Sequence, residues 1–190
     1  MKVLVLVREY EGRAAGAIMG NPVEESQIYG TFLTSDKWAE WIEVPNGADK
    51  NFLQTALIAA TEEVPEHWEI SENTSTKFVS EKAAKLLAID MKTNGLISQG
   101  ATFDSVVFSL SANAQLTWLG LLAKESSFTW PKEISTRSNG AYSLAQADLA
   151  DFTDAMAGTV ASYLDSGRAL KVSVNAAANL TALNAIVDAR

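Results

Sequence analysis

A single histidine, three acids on successive helical turns, five tryptophans and a glycine-rich stretch are the residues here with the chemistry to make a site. His67 is the sole imidazole and the chain has no cysteine. Neither a zinc cage nor a nucleophile–histidine triad of the usual kind can therefore be assembled within one copy. His67 adjoins Trp68 in a short alternating segment and reads as a structural histidine. Asp148, Asp151 and Asp154 recur at i, i+3, i+6 near a helix start. That spacing suits a carboxylate pair for glycoside hydrolysis or a divalent-cation cluster, but acids at a helix N-terminus also favour its dipole, which is sufficient explanation. Gly12, Gly16 and Gly20 precede Asn21-Pro22 with no Gly-Lys-Ser/Thr after them, so a phosphate loop fails and a turn-rich segment is expected. Trp38, Trp41, Trp68, Trp118 and Trp130 could stack sugars, yet they are scattered without a repeated motif and read as core and interface residues. Asn73-Thr74-Ser75 and Asn179-Leu180-Thr181 match the glycosylation pattern, which means little without a secretion signal. No catalytic, cofactor-binding or metal-ligating residue emerges, and no enzyme is expected.

The elements that would position these residues begin with KVLVLV (residues 2–7), an apolar β-branched strand. Residues 27–33 and 37–44 read as paired strands. The two-residue period puts Trp38, Glu40 and Ile42 on one face and Trp41 and Glu43 on the other. Residues 48–60 carry Phe52, Leu53, Ala56, Leu57 and Ala60 at helical spacing, with Asp49 in the first turn, and predict a short amphipathic helix. Residues 66–72 alternate as a strand with Trp68 and Ile70 on one face.

Residues 74–94 predict the clearest helix of the first half, with Phe78, Leu86, Leu87 and Met91 in its stripe. Asn94-Gly95 is its expected stop. Residues 101–110 read as one strand. A helix capped by Ser109 or Ser111 follows, with Leu116, Leu119, Leu122 and Ala123 clustered beside Trp118. Ser138-Asn139-Gly140 marks a hairpin turn with arms at 134–136 and 141–143. Ser143 and Gln146 form a capping-box pattern before a helix reaching Leu164. On it Leu149, Phe152, Met156, Val160 and Tyr163 share one face, and Gly158 predicts a close helix approach. Asp165-Ser166-Gly167 predicts a break, with further helices over 168–178 and 180–189.

The fold class is therefore α+β: a small strand-rich N-terminal unit over residues 1–72, a bridging helix and linker over 73–100, and a mainly helical unit with a short hairpin over 101–190. With 47% apolar residues the chain can bury a real core, so global disorder is not expected. Its net charge of −8, with −6 falling before His67, argues against nucleic acid or an anionic membrane as a partner, since either needs a basic patch. The N-terminal apolar run is too short for a signal peptide, and no stretch has the length of a transmembrane helix.

One resemblance lies beyond these patterns. FSLSANAQLTW (108–118), TWP (129–131), NGAYSLAQADL (139–149) and SGRALKVSVNAAANLTALNAIVD (166–188) are together similar to the C-terminal domain of unknown function numbered 4376, found in tail- and fibre-associated proteins of tailed bacteriophages. The likeness covers about 85 residues, within 103–190. It implies no catalytic residue. It implies a structural or adaptor protein of the tail, baseplate or tail-fibre apparatus, made in the bacterial cytoplasm and assembled into the virion as a homo-oligomer beside other tail proteins. A fibre-assembly chaperone absent from the mature particle, or a host-surface glycan-binding module using Trp38 or Trp41, are the other expectations.

Overall fold

The computed structural model describes residues 1–7, 12–23 and 39–190. It is an α+β fold that divides into two compact units, Met1–Ser80 and Glu81–Arg190.

In the first unit, strand β1 (Lys2–Leu6) runs antiparallel to β2 (Ala39–Glu43), from Lys2 opposite Glu43 to Leu6 opposite Ala39. The expected strand over 27–33, and Trp38 with it, lie outside the described residues. The glycine-rich stretch forms turns that return to β1 through isolated bridges, Val5 to Ile18 and Lys2 to Val23. Gly16 takes a φ of +86°, and a Cβ there would sit 2.6 Å from the Trp68 ring. Only glycine meets both demands.

Residues 48–60 correct the sequence reading: a single 3-10 turn at Lys50–Phe52 leads into β3 (Leu53–Ile58), a strand and not a helix. β3 pairs antiparallel with β4 (His67–Glu72) over its whole length. A lone helix this short is marginal, whereas the strand gains a full ladder and a hydrogen bond from Thr55 Oγ1 to Gly16 O at 2.7 Å. Val3 and Val5 of β1, Val44 and Ile70 form the buried core, with Trp68 packed against it.

Helix α1 (Thr74–Gln99) begins in the first unit and ends in the second. Asn73 Oδ1 accepts from Thr76 N at 2.9 Å, so the asparagine of one glycosylation-type triplet is a helix cap. Asn94-Gly95 does not stop α1. The helix carries Ile97 on to the second unit's core and ends at Gly100, whose φ is +91°.

In the second unit the expected strand over 101–110 is a hairpin, β5 (Ala101–Phe103) and β6 (Val106–Phe108). Asp104 and Ser105 both take positive φ at its two-residue turn. Such loops demand that conformation, and a small polar residue tolerates it. Helix α2 (Ala112–Ala123) is capped by Ser111, whose hydroxyl accepts from Ala114 N at 3.3 Å. The second hairpin, β7 (Lys132–Ser135) with β8 (Ala141–Leu144), turns at Ser138-Asn139-Gly140 as expected.

Ser143 belongs to β8 and caps no helix. Its intended partner Gln146 opens a 3-10 turn and donates through Nε2 to Glu125 Oε1 at 2.9 Å. Helix α3 (Leu149–Ala176) then runs unbroken through Asp165-Ser166-Gly167, so the break expected there is absent. Helix α4 (Leu180–Asn184), capped by Asn179, is only five residues of the helix expected over 180–189.

The core is centred on Phe152. The rings of Phe103, Phe108 and Trp118 stand edge-on to it at 4.9–5.4 Å, an arrangement that suits the ring quadrupoles. Leu149 and Met156 are buried beside it, with Val160 and Tyr163 at the margin, the face expected from their spacing.

Candidate functional site

His67 opens β4 with its Nδ1 2.9 Å from the carbonyl of Pro65 and its Nε2 3.4 Å from Glu69 Oε1. The Pro65 carbonyl, followed by Glu69, raises its pKa above the ordinary value. These bonds hold the ring beside its own strand. Asp148, Asp151 and Asp154 are exposed at the start of α3. Among the described residues no three His, Cys, Asp or Glu side chains gather as metal ligands do.

Trp41 is half-buried, and its indole nitrogen is shut away from solvent with no partner among the described residues. A buried indole N–H usually finds a partner, and here it has none within those residues. Trp130 spends its Nε1–H on Glu125 O at 2.9 Å, and Trp118 is in the core. In the first unit, Glu72 accepts from the Asp49 backbone N–H at 2.6 Å and pairs with Lys77 at 3.1 Å. Together they hold its carboxyl below the usual range.

A polar construction in the second unit joins α1 to the end of α3, to α4 and to the segment after it. Lys82, Lys85 and Lys92 lie on one face of α1 and donate to carbonyls of Asn175, Leu183 and Asp188 at 2.7–2.9 Å. Arg190 lies between α1 and α3. Its guanidinium donates to both carboxylate oxygens of Asp188 at 2.8 and 2.6 Å, and to Thr93 Oγ1 at 2.9 Å. Two weaker bonds reach Tyr163 O and Ser166 Oγ at 3.3 Å. Arg190 holds the Asp188 carboxyl at about 2, and the arginine is raised in turn.

Gly167 completes this construction: a Cβ there would lie 2.6 Å from Thr93 Oγ1 and 3.0 Å from Arg190 Nη1. The close approach expected at Gly158 thus occurs nine residues later, since Gly158 is exposed with open space around it. Lysines on the same face as buried Ile89, and not opposite it, were the sequence signal for this strap.

Two open features of the second unit bear on binding. A surface cavity of about 580 Å³ lies between the hairpins, lined by Ser105, Val106, Val107, Arg137 and Ser138. The other is α2. Trp118 and Leu121 face the core, but Leu116 and Leu119 are 67% and 59% exposed, and Leu122 is 40% exposed. The leucine cluster expected beside Trp118 is therefore the outer face of the helix.

Compared with protein-family models, curated proteins and solved structures, the chain matches none. No helix among the described residues is long and apolar enough to cross a membrane.

Proposed function

We propose that the chain is a non-enzymatic structural or adaptor protein that works by docking to other proteins, in the tail, baseplate or fibre apparatus of a tailed bacteriophage. The observation that carries the docking role is the outer face of α2, where large leucines face water on a helix with no charged residue. Exposed apolar faces of that kind support contact with another protein. The one imidazole, His67, is by contrast engaged with Pro65 and Glu69.

The tail setting rests on the resemblance read in residues 108–118, 129–131, 139–149 and 166–188 alone; no family model adds to it. Its partners on this reading are other tail proteins and further copies of itself. Peptide mass spectrometry of purified virions tests it. The protein should be present in stoichiometric amount. Its absence from particles, with abundance in the infected-cell lysate, would overturn the structural role in favour of an assembly chaperone.

A further inference from the structure

The outer face of α2 has an internal symmetry that names its occupant. Ala112, Leu116, Leu119 and Ala123 recur at spacings of four, three and four residues. On a helix of 3.6 residues per turn these positions form one narrow seam. The seam lies opposite Trp118 and Leu121, the two α2 residues buried in the core. Read in either direction it is the same: small, large, large, small.

A second α2 laid antiparallel across a two-fold axis through the middle of the helix sets Ala112 against Ala123 and Leu116 against Leu119. Each pairing then occurs twice, which is the self-complementarity that an isologous contact requires. Gly120 flanks the seam, and nothing lies within 4 Å of where its Cβ would be, so a neighbouring helix can approach there.

Charge points the same way. Of the net −8 of each copy, −6 falls before His67, and the unit that carries α2 is close to neutral, so two copies meeting at α2 face little charge repulsion. Between Ala112 and Ala123 there is no Asp, Glu, Lys or Arg. A receptacle for a leucine is also present: beside the seam, a shallow apolar cavity of about 90 Å³ is lined by Gln115, Trp118, Leu119, Thr153, Met156 and Ala157. In the antiparallel arrangement the Leu116 side chain of one copy arrives next to Leu119 of the other, at the edge of this cavity.

We infer that α2 is a homodimerisation helix, pairing antiparallel with α2 of a second copy across a two-fold axis through the Ala112-Leu116-Leu119-Ala123 seam. The inference deepens the docking role proposed above and supplies its partner, but nothing in the seam depends on the phage setting. A seam of three helical turns is small beside the roughly 1,200–2,000 Å² that stable complexes bury, so the dimer is concentration-dependent.

Sedimentation equilibrium of the full chain tests it. The wild type should rise from 20.4 kDa toward twice that mass as concentration increases. The double variant Leu116→Glu, Leu119→Glu should remain a monomer, with an unchanged circular dichroism spectrum because both side chains lie outside the core. A wild type that is monomeric throughout, a trimer, or a dimer that survives in the double variant would each overturn the inference. A monomer that is nonetheless found in purified virions would sink this dimer while leaving the tail role standing.

Discussion

The second unit has two contrasting sides. On one, α4 and the segment after it are fastened to α1 and α3 by Lys85, Lys92 and Arg190. On the other, α2 shows solvent a row of alanines and leucines with no charge among them. Both sides belong to helices of the same unit. The first shows how this fold completes a surface when its own chain is the partner: a close-approach glycine, lysines on terminal carbonyls and a bidentate ion pair. The second has none of these devices: its leucines are left facing water, and it is the face proposed above to meet a second copy.

Leucines separate the two sides most sharply. Leu183 of α4 is fully buried, and Leu183→Ala should destabilise the protein by about 2–5 kcal/mol. Leu116→Ala on the outer face should change monomer stability by no more than about 0.5 kcal/mol. Denaturant titrations at low protein concentration compare them. Equal losses would mean that α2 is covered within its own chain.

Glycines give the next largest contrast. Gly167→Ala forces a methyl against Thr93 and Arg190 and should lose about 1–3 kcal/mol. Gly120→Ala meets open space in a helix and should gain roughly 0.5–1 kcal/mol in the monomer. Thermal melts of the two variants should therefore move in opposite directions.

The ion pair predicts a smaller, pH-dependent effect. Asp188 is held at about 2, against about 3.9 for an unfolded aspartate. A carboxyl depressed on folding stabilises the native state above its unfolded pKa, and that stabilisation is lost as pH falls through the folded value. Stability from this pair should thus be intact above about pH 4 and disappear toward pH 2. Asp188→Asn should remove that component of the acid titration; an acid profile identical to wild type would mean that the strap is not held by charge.

How much of this was legible beforehand follows from where the decisive contacts lie. The spacing of Leu149, Phe152 and Met156 repeats locally, so the buried face of α3 could be read directly. Ser138-Asn139-Gly140 likewise carries its turn in its own residues. Residues 53–58 became a strand because β4 and Gly16 supply their partners, which helical spacing in the segment cannot reveal. Asp165-Ser166-Gly167 resembled a break, but Gly167 is there to admit Thr93 and Arg190, each more than 20 residues away. The α2 leucines were grouped correctly on one face. Which face met the core was fixed by Trp118 and Leu121, and periodicity alone does not choose between two apolar sides of a helix.

Antiparallel pairing of α2 with α2 can be measured directly, because the chain has no cysteine. Two single variants, Ala112→Cys and Ala123→Cys, are oxidised separately and as an equimolar mixture, then resolved on a non-reducing gel. The antiparallel seam predicts that the mixture cross-links efficiently, position 112 to position 123, while each variant alone stays largely uncross-linked. Efficient cross-linking of either variant to itself, with none favoured in the mixture, would contradict it.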